Sequence, residues 1–169
     1  MGTMFEYRTI LVGTDGSALA TPTVSRAAWL AAHDDADLVI VCAYSELSRR
    51  QEARNVASLG GDARIGQVPG RAAASAAIAA AVAVAQEQGA TISAALLIDG
   101  EPASALLATA KERAADLVVV GATRDTSIAD RLLGTVATEV VRRAECEVLV
   151  VRPRGEAAEL PSPQEPPLT

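Results

Sequence analysis

Gly121 closes an apolar run, Asp116-Leu117-Val118-Val119-Val120, and opens a loop that ends at Gly134-Thr135, where a helical pattern begins. A strand, a glycine-bearing loop and a helix start together offer backbone N–H groups and the positive end of a helix dipole, which is chemistry suited to phosphate or another anion. Position 124, where a further glycine would let the backbone approach a phosphate closely, is Arg124. If the backbone there needs a positive φ or a bare Cα, arginine blocks the pocket or distorts the loop. If it accepts a side chain, the guanidinium can fold over the phosphates as a bidentate clamp. Asp125 and Asp130 are near enough in sequence to hold Arg124 in a local ion pair, and an exposed loop arginine with no ligand is the plainest alternative. Thr135 carries a matching ambiguity, because a hydroxyl at a helix start either faces an anion or caps its own helix. Gly134 and the pair Asp15-Gly16 are also common turn residues for backbone reasons alone.

Other chemistry is thin. The one histidine, His33, falls at the end of a helical pattern beside Asp34 and Asp35, where a helix C-terminus favours a cation; a Ser-His-Asp triad would need it elsewhere. No Cys and His spacing suggests a metal site. No lysine precedes Thr135 in the manner of a P-loop, which removes that class of NTPase. Cys42 and Cys146 sit in apolar runs and read as small core residues rather than a disulfide framework.

Composition narrows the classes further. The 169 residues suit one well-filled domain. Half are hydrophobic but only 2% aromatic, so the core must be built from Val, Leu, Ile and Ala, with alanine-rich helices lying close to a sheet. A net charge of −6, with arginines scattered rather than striped, argues against nucleic acid or an anionic membrane as partner. No stretch reaches the roughly 18–20 apolar residues of a membrane span, and the N-terminus lacks a secretory pattern, so a cytoplasmic, reduced setting is expected.

The elements that must position the loop alternate along the chain. Strands are expected at Thr9–Gly13, Leu38–Ala43, Ile92–Ile98, Asp116–Gly121 and Cys146–Val151. Most are continuously apolar, as strands of a parallel sheet covered on both faces should be. The first helix carries Val24, Ala27, Ala28 and Ala31 on one face, and either Ser17 or Thr21-Pro22 starts it. The second spans about Arg71 to Gln88, with Ile78, Val82 and Ala85 inward and Gly89 as its stop. A third, from Pro102, turns Leu106, Leu107, Ala110 and Ala114 to the sheet; a fourth, after Gly134, does so with Val136, Val140, Val141 and Ala144. Ser45–Gly70 is longer than the usual strand-to-helix connection and is expected to be functional or mobile. Residues 153–169 read as a disordered, Pro-rich acidic tail, and residues 1–7 as an N-terminal extension. The expected fold is a single-domain, open, doubly wound five-stranded parallel α/β sheet over residues 8–152. Its ligand site should lie beyond the C-terminal ends of strands one and four, where strand order reverses.

Four separated motifs, Ile10-Leu11-Val12-Gly13-Thr14-Asp15-Gly16-Ser17, Gly100-Glu101-Pro102-Ala103, Ala115-Asp116-Leu117-Val118-Val119-Val120-Gly121 and Cys146-Glu147-Val148-Leu149-Val150-Val151-Arg152, resemble the universal stress protein family in order and spacing. In its nucleotide-binding members the loop after the fourth strand reads Gly, two residues, Gly, nine residues, Gly, then Ser or Thr. Here Gly121, Gly134 and Thr135 match at that spacing, and Arg124 departs. The resemblance implies ATP or another adenine nucleotide, AMP and cyclic AMP included, with Mg2+ able to arrive on the phosphates. Thr14 and Asp15 follow the first strand, and Asp15 would sit near adenine and ribose. Ala43 would offer backbone to adenine, and Gly121, Gly134, Thr135 and Val136 would hold ribose and phosphates. It further implies a cytoplasmic stress sensor or regulator with at most weak ATP hydrolysis, paired as a homodimer through Val148–Val151, an apolar edge strand. The alternative is a homodimeric interaction module of the same fold that binds no nucleotide because Arg124 closes the site.

Overall fold

Five apolar runs pair side by side because each is too short and too hydrophobic to be stable alone, and the helical segments between them carry every strand back to the same starting edge. The computed structural model describes residues 6–46, 68–123 and 133–152. Arg124, the 153–169 tail and most of the Ser45–Gly70 connection lie outside the described residues. The order is β1 (Thr9–Gly13), α1 (Ala20–Asp34), β2 (Asp37–Tyr44), α2 (Arg71–Glu87), β3 (Thr91–Asp99), α3 (Pro102–Glu112), β4 (Leu117–Gly121), α4 (Thr135–Arg143) and β5 (Glu147–Val151). All strand pairs are parallel and the sheet runs β3-β2-β1-β4-β5, the doubly wound α/β arrangement expected from the alternation.

Side chains alternate between faces with the period of two that a strand imposes. Ile10, Val12, Leu38, Ile40 and Val119 meet Val24, Ala27, Ala28 and Ala31 of α1 and Ala81 and Ala85 of α2. Leu11, Val39, Val41, Val118 and Val120 meet Ala103, Leu106 and Ala110 of α3 and Ala137 and Val140 of α4 on the other face. Alanine on the inner helix faces lets backbone come close to the sheet, as the scarcity of aromatics requires. At Gly13 the approach is so near that an added Cβ would lie 3.1 Å from the methyls of Leu106. The three central strands are buried on both faces, whereas no residue of β3 is fully buried, because it lies at an edge.

Several local expectations need correction. Helix α1 starts at Ala20 with Leu19 as N-cap and no side-chain cap, so neither Ser17 nor Thr21 takes that role. The Ser17 carbonyl accepts the Ala20 N–H at 3.0 Å instead. Pro22 then falls in the first turn, where its missing N–H costs nothing. Ala114 lies past the end of α3 with φ 49° and is exposed. Val141 is 48% exposed, because the sheet-facing side of α4 is taken by Ala137 and Val140 and Val141 falls outside it. Helix α2 buries Ala74, Ala77, Ala81 and Ala85, with Ile78 and Val82 half-buried beside them, and ends before Gly89, whose φ is +76°. Cys42 is fully buried, but Cys146 is half-buried just before β5, and burial raises its thiol pKa.

The N-terminal end of the sheet is closed by carboxylates. Asp116 Oδ2 accepts the N–H groups of Arg8 (2.8 Å) and Thr9 (2.9 Å), fixing the start of β1 against β4. Asp34 Oδ2 accepts the Tyr7 N–H at 2.9 Å. His33 Nδ1 pairs with Asp34 Oδ1 at 2.9 Å while its ring stacks on Trp29, so the histidine sits at the C-terminal turn of α1 as its neighbours suggested. The hydrogen bond from His33, then that from Tyr7, holds the Asp34 carboxyl below its usual range. Tyr7 in turn donates its hydroxyl to Glu147 Oε2 at 2.6 Å, tying the N-terminal segment to β5.

That hydrogen bond to Glu147, with partial burial and the nearby Asp34 and Asp116, pushes the Tyr7 pKa up from 10.0 to about 12. A raised folded pKa means the bond contributes fully below the ordinary value and is lost as pH rises through about 12. Tyr7→Phe should therefore lower stability by about 0.5–1 kcal/mol at neutral pH, the modest figure due to an exposed bond. Urea unfolding at pH 7 and ultraviolet titration of the tyrosines check both statements; equal stability of wild type and variant would overturn the first.

Candidate functional site

Strand order reverses between β1 and β4: from β1 the chain winds outward through β2 to β3, then returns to place β4 and β5 on the other side. Connections leaving β1 and β4 therefore diverge to opposite faces and open a crevice between them. Thr14 stands at its floor, almost fully buried, donating its N–H to Val41 O at 2.9 Å. The β1–β4 register, Ile10 beside Leu117 to Val12 beside Val119, continues to set Thr14 level with Gly121. Asp15 folds back at once, Oδ1 accepting the Ser17 N–H at 2.8 Å, and Gly16 makes the reversal with φ +74°. Only glycine adopts that conformation at no steric cost, and its bare Cα also faces Ala77, which an added Cβ would approach to 3.3 Å.

Gly121 ends β4 for a packing reason. A Cβ there would come within 3.1 Å of Leu19 Cδ2 and 3.2 Å of Thr23 Oγ1, so glycine lets the start of α1 lie against the end of β4. The Ala122 N–H is bound to Val151 O at 2.8 Å, and its carbonyl accepts the Gly134 N–H at 2.6 Å. Gly134 thus lies beside Ala122, and α4 starts next to the end of β4. Gly134 is the N-cap residue, with no side-chain cap. The cap position therefore belongs to Gly134, and Thr135 is the first helical residue, exposed, while Val136 is half-buried against the sheet. Thr135 is not spent on capping its own helix.

Helix α3, which starts at the same end of the sheet, is arranged in the opposite way. Glu101 is its N-cap and accepts the N–H groups of Ala103 (3.0 Å) and Ser104 (2.9 Å), with Pro102 at the first helical position. That helix carries its own anion, whereas α4 has none from its cap residue. Partial burial pushes the Glu101 carboxyl up, but hydrogen bonds from Ser104 and Ala103 and the charge of Arg143 outweigh it and leave the pKa lowered.

The model of the universal stress protein family matches residues 6–152. The chain belongs to the universal stress protein family. Universal stress protein Rv1636 of Mycobacterium tuberculosis is 39% identical over 148 residues, covering 88% of this chain and 98% of that protein. A universal stress protein crystallised in complex with cAMP is 33% identical with TM-score 0.62, over 87% of this chain and 98% of its own. UspA from Lactobacillus plantarum, at 23% identity, shares the fold with TM-score 0.65, over 88% of this chain and 100% of its own.

Within this family fold, Thr14, Asp15, Gly121, Gly134, Thr135 and Val136 gather around the β1–β4 crevice, and Ala43 lies one strand away, buried on β2 in register with Ile98. The sequence reading missed Leu19 and Thr23, which pack on Gly121, and the capping role of Glu101. The second was legible, since an acidic residue before proline at a helix start is a cap signature; the first was not, because contact between α1 and β4 depends on the sheet. A cavity of about 80 Å³ beside the Asp15 turn is lined by Thr14, Gly16, Ser17, Thr21 and the inner faces of α1 and α2. A wider depression of about 440 Å³ lined by Glu6, Tyr7, Arg8, Asp34, Asp35 and Asp37 lies at the opposite end of the strands, away from the crevice.

Glu101→Ala should cost about 1 kcal/mol at pH 7 through loss of the cap. Because the folded pKa is depressed, this contribution is present above the ordinary value of 4.5 and disappears as pH falls through the lower folded value. Wild type and variant should therefore converge in acid in thermal melts, and a gap that stays constant down to the acid transition would contradict the cap. Gly121→Ala should destabilise by about 1–3 kcal/mol, the usual result of overpacking, as read by the denaturant midpoint.

Proposed function

We propose that the protein binds an adenine nucleotide across the C-terminal ends of β1 and β4 and works as a cytoplasmic stress-response sensor or regulator. The observation that carries this reading is the start of α4, which has no side-chain cap and is hydrogen-bonded back to Ala122 at the mouth of the crevice. Phosphate is the ligand class that such a helix start accepts through N–H groups and dipole. The 33% identical neighbour in complex with cAMP supports an adenine nucleotide rather than another anion. In this reading Thr14 and Asp15 flank ribose and adenine, and the backbone at Ala43 meets the base edge. Gly121, Gly134, Thr135 and Val136 hold ribose and phosphates, and Arg124 is the residue whose side chain decides between a phosphate clamp and a closed site. ATP belongs to the same ligand class, and Mg2+ would then come with its phosphates.

Binding rather than turnover is the expected activity, with ATP hydrolysis at most weak. His33 lies at the far end of the sheet, hydrogen-bonded to Asp34. A homodimer pairs through the outer edge of β5, whose residues Val148–Val151 are half-buried. In antiparallel pairing of two copies, Glu147 at one end of this strand can meet Arg152 at the other, which favours that orientation.

The test is mass spectrometry of small molecules released on denaturing the purified protein, together with thermal shift against ATP, AMP and cAMP. A bound adenine nucleotide, or a rise in Tm with added nucleotide, is expected. Thr135→Ala should weaken binding about fivefold, the equivalent of about 1 kcal/mol for one lost hydrogen bond. Arg124→Gly weakens binding further if the guanidinium clamps phosphate. No released nucleotide and no shift at millimolar ligand would overturn the proposal, and binding gained only in Arg124→Gly would show that arginine closes the site. Sedimentation as a monomer at micromolar concentration would remove the dimer.

A further inference from the structure

Among the described residues three polar side chains are buried: Thr14, Thr23 and Thr109. The hydroxyls of the last two each donate to a carbonyl one turn back in their own helix, Thr23 Oγ1 to Leu19 O at 2.6 Å and Thr109 Oγ1 to Ala105 O at 2.8 Å. A bond of this kind does not strengthen a helix. The Thr23 N–H already donates to the same Leu19 carbonyl at 3.1 Å, so the ladder is complete without the hydroxyl. Valine would fill the same space with no polar atom to take out of water. What the hydroxyl at position 23 adds therefore lies in its surroundings rather than in its own helix.

Thr23 sits in the first turn of α1, 1% exposed, with Oγ1 3.2 Å from where a Cβ of residue 121 would stand; Leu19 Cδ2 and Cγ are 3.1 and 3.3 Å from the same point. Donor and acceptor of one short hydrogen bond are thus the two residues that seat the end of β4. Leu19 also ends the connection that leaves β1. Asp15 Oδ1 accepts the Ser17 N–H at 2.8 Å, the Ser17 carbonyl accepts the Ala20 N–H at 3.0 Å, and Leu19 is the N-cap residue of α1. A run of local bonds joins Asp15 to Thr23, and the packing of Leu19 and Thr23 on Gly121 carries it across to the neighbouring strand. Thr109 shares the burial and the bond but stands in the last turn of α3, at the opposite end of the sheet from the crevice.

We propose that Thr23 is a positioning residue of the nucleotide site, an inference that rests on the nucleotide reading given above. Its hydroxyl holds the Leu19 carbonyl, which fixes the first turn of α1 with Leu19 seated on Gly121 and so sets the spacing between the Asp15 turn and the end of β4. Thr23 is buried behind Gly121 and acts through it and Leu19. Without the hydroxyl the Leu19 carbonyl keeps only its ladder bond, and the turn is free to shift against β4. Binding groups must be held within about 0.5 Å of their productive geometry, so a small shift of one wall of the crevice lowers affinity.

Isothermal titration of cAMP into the full chain separates this role from packing. Thr23→Val keeps the buried shape and should leave Tm close to wild type while weakening cAMP about fivefold, the worth of one hydrogen bond. Thr23→Ser keeps the hydroxyl but loses a buried methyl, so its Tm should fall while its affinity stays at the wild-type value. Thr109→Val deletes the same kind of bond at the far end of the sheet and should bind cAMP as wild type does. Equal affinity of Thr23→Val and wild type, or affinities that simply follow Tm across the three variants, would overturn the inference. Hydrogen exchange on the ligand-free chain gives a second decision: Thr23→Val should speed exchange of the Ala122 N–H, across the crevice, about fivefold, and Thr109→Val should not. A wild type that binds none of cAMP, AMP and ATP speaks against the nucleotide reading alone. The Ala122 exchange rate then decides whether Thr23 sets the spacing, and no change there in Thr23→Val would sink it.

Discussion

Everything at the candidate site depends on β1 being the strand from which the winding turns. Held between β2 and β4 and buried on both faces, β1 has its start fixed by Asp116, which binds the Arg8 and Thr9 N–H groups, and its end fixed by Thr14 N–H on Val41 O. Right-handed crossovers then force the connections after β1 and β4 to opposite faces. The crevice between them follows from connectivity, and the residues that line it are whichever follow those two strands.

The two ends of the sheet differ in electrostatic character for the same reason. Helices in this winding run antiparallel to the strands, so their N-termini gather at the C-terminal strand ends and their C-termini at the other. Carboxylates of Asp34, Asp116 and Glu147 at the lower end are consumed by N–H and hydroxyl donors of the N-terminal segment. At the upper end Glu101 fills one helix start, while α4 has only a glycine cap. A chain with net charge −6 thus leaves the N-cap of α4 without an acidic side chain while it places one at α3.

Small residues are what make this geometry fit. Alanine along the inner faces of α1 and α2 sets those helices on the sheet, and glycine at positions 13 and 121 makes room for the side chains of Leu106 and of Leu19 and Thr23. Gly121 illustrates how two causes converge on one residue type. The family resemblance implies that it helps to hold ribose and phosphates, and the fold adds that Leu19 and Thr23 already occupy the space a side chain would need. The family pattern and the packing demand are both met by the same missing Cβ.

By itself the sequence determined the strands, the helices and the class of sheet, because continuous apolar runs alternating with 3.6-residue stripes have one economical way to bury themselves. It also marked Asp15, Gly121, Gly134 and Thr135 through spacing that the family shares. Boundaries and caps were less legible: Ser17 and Thr21 looked like caps for α1, but Leu19 took the position because its side chain is buried against the end of β4. Orientation within a helix, as at Val140 and Val141, was decided by the sheet that the helix covers. Tertiary structure alone decided that Gly134 rather than Thr135 is the cap of α4, that Leu19 and Thr23 back the site, and that β3 is the edge opposite β5. Each of these depends on contacts between segments far apart in the chain, and strand order in space is not written in the order of residues.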